Sequence, residues 1–165
     1  MKDNILWFDI ESCSLPVQSA RIITISFLFN GKEKTLYINP MKPIDPGASK
    51  VNGIYDKDVV DWKPFTYYAN YIYNLCLNCD GYGGYNNRKF DVVLLAFELL
   101  RCGYELPNRP IYDVYESVQS LFKSLKLKDI YRTLSKEELD AHKSINDIKA
   151  TLYLHEYIKN KLLDE

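Results

Sequence analysis

What this sequence lacks first is an excess of positive charge. Its 21 lysines and arginines stand against 22 aspartates and glutamates, a formal net charge of −1. That excludes the broad basic surface with which proteins hold duplex nucleic acid through many phosphates, so any polynucleotide has to be gripped locally. Long hydrophobic runs are missing too. No segment reaches the ~20 apolar residues that span a bilayer, and the apolar stretch after Met1 is too short for a secretory leader and ends in two acids. The expectation is a cytoplasmic chain with no membrane partner. Cysteine is scarce, with 4 residues, which read as thiols in a reducing compartment. Cys76 and Cys79 form one CxxC with no second pair and no nearby histidine, which favours two thiols on a helix over a zinc site. Repeats and low-complexity tracts are absent.

What is present suits one compact unit. A chain of 165 residues with 47% apolar content is enough for a single domain, 1–165, with its own core. Alternating apolar residues predict strands at about 4–10, 21–29 and 34–39, the last two joined by the turn pair Asn30-Gly31 as an antiparallel hairpin. A Pro/Gly-rich connection runs from Pro40 to Gly53. A tyrosine-rich helix follows between Pro64 and Cys79, then a Gly-rich strand near 81–85. An apolar helix from Phe90 to Cys102 is stopped by Gly103. A brief strand through Tyr112-Asp113 leads into another helix, and a last helix spans about Asn146 to Leu163. This order predicts a mixed α/β sheet flanked by helices, with the three-strand meander at its centre. The 14 tyrosines offer stacking faces for unpaired bases, yet Tyr67, Tyr68, Tyr71 and Tyr73 fall on one helix, where packing explains them as well.

Chemistry is concentrated in the acids. Asp9 and Glu11 end the run Ile5-Leu6-Trp7-Phe8, and the period of two on a strand sends both carboxylates to one face. Such pairs are common: 22 acids in 165 residues give about three by chance, and Asp56-Lys57-Asp58 is another. Asp91 and Asp147 stand in the first turns of two later helices, where the helix N-terminus favours negative charge and an arriving phosphate. Ser144-Ile145-Asn146-Asp147 also matches a capping box, which would give Asp147 a structural role. His142 lies in a loop two residues before that cap; His155 falls on the apolar stripe of Ile148, Leu152, Ile158 and Leu162 and reads as packing. Four acids and one imidazole suit a two-metal phosphodiester site. Mg²⁺ or Mn²⁺ prefers carboxylate oxygens, and two ions ~4 Å apart stabilise the attacking and leaving oxygens together.

Three ordered blocks make the pattern specific. Phe8-Asp9-Ile10-Glu11, then Tyr85-Asn86-Asn87-Arg88-Lys89-Phe90-Asp91, then Asp140-Ala141-His142-Lys143-Ser144-Ile145-Asn146-Asp147 with its His-x4-Asp spacing, resemble the DnaQ-like, or DEDDh, family of 3′–5′ exonucleases. Pro46 to Val59 is similar to a linking segment of that family. The resemblance implies a ribonuclease-H-like fold with a five-stranded sheet. It also implies two divalent ions on Asp9, Glu11, Asp91 and Asp147, and His142 as general base. Leu15, followed by Pro16, stands where members meet the terminal base, and Asn86 and Phe90 are further substrate candidates. Asp113 reads as structural rather than as a fifth ligand. The implied activity is removal of nucleoside 5′-monophosphates from the 3′ end of single-stranded or frayed DNA or RNA, with a polymerase or another replication or repair protein as partner. Two other readings stay open: a module that grips an end or a polymerase without cutting, and a hydrolase of dinucleotides or small phosphoesters. Ser12-Cys13-Ser14 and Asn52 depart from the family pattern, where a Thr/Gly turn and a histidine are common.

Overall fold

The computed structural model describes residues 4–140 and 144–163. Five strands form one sheet in the order β3-β2-β1-β4-β5: β1 Ile5–Ser12, β2 Ile22–Phe29, β3 Lys32–Tyr37, β4 Gly81–Gly84 and β5 Ile111–Asp113. The helices are α1 Pro46–Asn52, α2 Asp56–Val59, α3 Phe65–Asn78, α4 Asp91–Arg101, α5 Val114–Val118, α6 Leu127–Ser135 and α7 Ser144–Leu163. β1, β2 and β3 pair antiparallel, while β4 and β5 extend the sheet in parallel from β1. The hairpin turn works as its residues demand, with Asn30 at φ 51° and Gly31 at φ 73°, the left-handed pair whose twist matches flanking strands.

Two expectations need correction. The meander is not the centre of the sheet: β3 is an edge, and only β1, flanked by β2 and β4, is central. The Pro40–Gly53 stretch is not all connection, because Pro46 at the start of α1 has the φ a helix needs and Gly53, at φ 73°, closes it by donating to the Ser49 carbonyl.

The alternation of β1 divides the interior. Leu6, Phe8 and Ile10 point to a core built with α3 and α4, including Ile72, Leu94 and Leu95. Ile5 and Trp7 point the other way, to a second core with Val114, Ile130, Ile148 and Leu154 from α5, α6 and α7. Asp9 and Glu11 continue that second face. His155 packs there as expected, its ring 5.1 Å from that of Trp7 in an edge-on contact.

Trp7 also explains why β4 is glycine-rich. A Cβ on Gly83 would lie 2.5 Å from the Trp7 ring, and Trp7 is itself buried against the second core. Gly83→Ala is therefore expected to destabilise the protein by about 1–3 kcal/mol through overpacking, read as a lower midpoint in urea with an unchanged slope. A wild-type midpoint would mean that the ring moves aside freely.

On the other face, α4 is tied to β2. Glu98 is buried on α4, and its Oε1 accepts from Arg21 Nε at 2.6 Å and meets Arg101 Nη1 at 3.2 Å. Breaking so enclosed a carboxylate–guanidinium cluster is costly, so it fixes the helix that begins with Asp91. Of the α3 tyrosines, Tyr68 and Tyr73 pack against the core, Tyr73 stacking on Tyr104 at 4.6 Å, while Tyr67 and Tyr71 are exposed, Tyr67 meeting Tyr68 edge-on and Tyr71 lying 4.2 Å under Lys34 Nζ. Cys76 and Cys79 are buried free thiols, and burial pushes Cys76 up to about 12.

Candidate active site

Three elements bring the acids to one end of the sheet. β1 supplies Asp9 and Glu11 from its last turns of pleat, just before the register shift between Glu11 and Ser12. α4 begins beside β1, so that the Ile10 N–H donates to Asp91 Oδ1 at 3.2 Å. α7 is anchored by a hydroxyl pair: Ser26, which lies opposite Asp9 in the β1–β2 register, bonds Ser144. Asp147 follows Ser144 by three residues in the first turn of α7. The Ser144 hydroxyl is thus engaged by the sheet, a use that the capping-box reading did not foresee.

The loop into Asp91 has its own clamp. Asp113, at the end of β5, accepts the backbone N–H of Asn86 at 2.8 Å, Arg88 at 3.2 Å and Tyr115 at 3.1 Å. The acid holds the 86–88 turn and caps α5 together, which agrees with a structural role.

Two hollows meet at Glu11 and Val51. One, of about 410 Å³, is lined by Asp9, Glu11 and Asp147 with Tyr85, Lys126, Lys128 and Leu139 among others. The other, of about 380 Å³, is lined by Ile10, Glu11, Ser12, Leu15, Asn52 and Phe90 among others. Leu15 is 72% exposed at its rim. Asn86 is exposed and lines neither hollow; its neighbour Asn87 is buried, and neither its Oδ1 nor its Nδ2 has a hydrogen-bond partner among the described residues. Asn52 donates to the Ser12 carbonyl at 3.3 Å and accepts from the Ile54 N–H at 3.0 Å, tying the linking segment to the end of β1. His142 lies outside the described residues.

The acids press on one another. Burial first, then the charges of Asp91, Asp147 and Glu11, raises Asp9 well above its ordinary 3.8. Burial and then Asp147 push Glu11 from 4.5 to about 7. Burial also lifts Asp91 from 3.8 to about 8, against the lowering effect of backbone donors that include Ile10 and with added repulsion from Glu11 and Asp113. None of the ion pairs among the described residues reaches Asp9, Glu11 or Asp91. Neighbouring carboxylates, of which Asp9, Glu11 and Asp91 take part in none of these ion pairs, are the donor type that hard divalent cations prefer, so the residues fit such ions. As they stand, no three acidic, thiol or imidazole side chains among the described residues are gathered closely enough to cage a metal. A cation among them would offset the charge of each acid on its neighbours.

Sequence reasoning passed over Tyr85, Lys126 and Lys128. The signal was the cluster Lys123-Ser124-Leu125-Lys126-Leu127-Lys128, which the near-zero net charge averages away.

The chain is similar to known exonucleases. The 3′-5′ exonuclease DinG of Bacillus subtilis (strain 168) is 26% identical over 171 residues, covering 98% of this chain and 18% of the relative. Escherichia coli exonuclease I, in a zinc-bound complex with single-stranded DNA, superposes with a TM-score of 0.86 at 18% identity, over 95% of this chain and 40% of that one. Exonuclease I of Methylocaldum szegediense gives 0.78 at 17% identity, over 91% and 39%. The chain therefore spans under half the length of these relatives. A family model described as RNase_T, exonuclease, matches residues 6–155, and since that match takes in β1, α4 and the start of α7 with their acids, the chain belongs to this DnaQ-like exonuclease family.

Proposed function

We propose that the chain is a metal-dependent 3′–5′ exonuclease domain, extending over residues 1–165, that hydrolyses the terminal phosphodiester of single-stranded nucleic acid and releases nucleoside 5′-monophosphates. The observation that carries this reading is the placement of Asp9, Glu11 and Asp147 along one hollow, with Asp91 bonded to the neighbouring Ile10 N–H, so that Asp91, Asp147 and Glu11 all raise Asp9. Asp9, Glu11, Asp91 and Asp147 would hold two Mg²⁺ or Mn²⁺ ions. Bound there, such ions supply Lewis acidity for an in-line displacement.

The remaining steps belong to this chain's own side chains. His142, two residues before Ser144 in the sequence, would take the proton of the attacking water, a task suited to an imidazole near neutral pH. Leu15 and Phe90 form the apolar wall against which the terminal nucleoside rests, beside Glu11. Asn87, fully enclosed without a protein partner, belongs to the same turn and is a better candidate than Asn86 for a polar role near the site. Single-stranded DNA, bound by exonuclease I in its complexes, is the substrate favoured for this chain, with a replication or repair protein as partner.

Digestion of matched DNA and RNA oligomers, labelled at the 5′ end, with Mg²⁺ and Mn²⁺ side by side, tests the reading. A ladder that shortens from the 3′ end and depends on the metal is expected, DNA being cut faster. Failure to shorten any single strand would overturn it in favour of a non-cleaving module.

A further inference from the structure

Beside the acids lies a feature that the reaction itself does not use. Lys126 and Lys128 line the same hollow as Asp9, Glu11 and Asp147, yet both ammonium groups are exposed and neither makes an ion pair with any described residue. They are not counter-ions for the carboxylates. Their backbone, by contrast, is fixed. The Tyr85 hydroxyl, from the loop that follows β4, donates to the Leu125 carbonyl at 2.6 Å. Ser124 Oγ donates to Asp129 Oδ2 at 2.8 Å and accepts from the Lys126 N–H at 3.4 Å. Leu127 between them packs into the second core. Two uncommitted cations are thus held on a braced segment at the rim of an anionic site.

We propose that Lys126 and Lys128 are phosphate-binding residues for the strand upstream of the scissile linkage, so that the cleft takes a polymer in preference to a lone phosphodiester. This rests on the exonuclease reading. The physical reason is charge placement. An acidic site repels the backbone of its substrate except where cations intervene, and a chain of net charge −1 has no general basic surface to compensate. Lysines one residue apart, on either side of an anchored leucine, meet successive phosphates of an extended strand as point charges without base preference. The tyrosine tether keeps that register relative to Asp9.

The test compares two substrates on the wild-type chain and on the Lys126→Ala/Lys128→Ala double variant. The first is thymidine 5′-monophosphate p-nitrophenyl ester, which carries one phosphodiester. The second is a 5′-labelled single-stranded oligothymidylate. The expected result is a kcat/KM on the oligomer that falls about tenfold more than that on the ester. The slope of log kcat/KM against log salt on the oligomer should become shallower by about 1.4, from two phosphates at ~0.7 each for a single strand. The Lys126→Arg/Lys128→Arg variant should keep the wild-type slope. Equal losses on both substrates, or an unaltered slope, would overturn the proposal while leaving the exonuclease reading intact. A wild-type chain that turns over the ester but not the oligomer would also overturn it, and one that turns over neither would remove the exonuclease reading and this inference together.

Discussion

Asp9→Asn is expected to abolish nuclease activity and, at the same time, to make the metal-free protein more stable. The loss of activity follows from the position of Asp9 between the other acids, each of which bears on it. Removing a metal-holding carboxylate forfeits several kcal/mol of transition-state charge stabilisation, and at ~1.4 kcal/mol for each factor of ten that is a fall of at least about 10³-fold. The gain in stability has the same origin. Asp9 is driven well above its ordinary range by burial and by Asp91, Asp147 and Glu11, so its charge is a burden on the fold. Asparagine keeps the shape and cannot ionise, which removes the charge that burial and the three neighbouring acids disfavour at this position. Thermal unfolding in chelator should show a rise of about 2–4 °C for each kcal/mol relieved, with no further rise on adding Mn²⁺. A variant that unfolds earlier than wild type in chelator would show that Asp9 is a net structural support. One that keeps wild-type turnover would remove it from the metal set.

The acids were legible in the sequence because each sits at a position that local rules mark. Asp9 and Glu11 end an apolar run with a period of two, and Asp91 and Asp147 open helices that Gly103 and the apolar stripe of α7 announce. The order of strands and the tyrosine-rich helix were legible for the same reason. What stayed hidden depends on contacts between distant residues. The central place of β1 is fixed by the parallel pairing of Ile5, Leu6 and Trp7 with Gly81, Tyr82 and Gly83, which no local pattern encodes. Ser144 reads as a cap, and nothing local announces that Ser26, 118 residues away in sequence, also engages its hydroxyl. Asn86 and Asn87 look alike as letters, and only the φ of 54° at Asn86 and the clamp from Asp113 decide which amide turns inward. Nothing in the local pattern marks Lys126 and Lys128; the Tyr85 hydroxyl pins their segment beside the acids.

Metal-free protein is expected to lose stability as the pH rises from about 4 to about 8, and divalent metal to restore it most at the upper end. The sign follows from the direction of the shifts. Glu11 moves from 4.5 to about 7 and Asp91 from 3.8 to about 8, so between those limits the folded chain holds protons that the unfolded chain has released. Where the folded state binds more protons, stability falls with pH. The favourable contribution of these two acids is therefore complete below about 4 and is lost as pH passes through their folded values. Burial leads the causes in both, and charge from neighbouring acids adds to it, so a cation among them acts against both effects. At 100 times its dissociation constant, a ligand bound only to the folded state adds ~2.7 kcal/mol, which is about 5–10 °C for a chain of this size. Unfolding midpoints measured from pH 5 to 8 with chelator and with Mg²⁺ or Mn²⁺ should diverge steadily, the metal curve lying above and the gap widest at pH 8. A gap of constant size, or one that closes toward alkaline pH, would mean that the carboxylates do not give up protons to the metal.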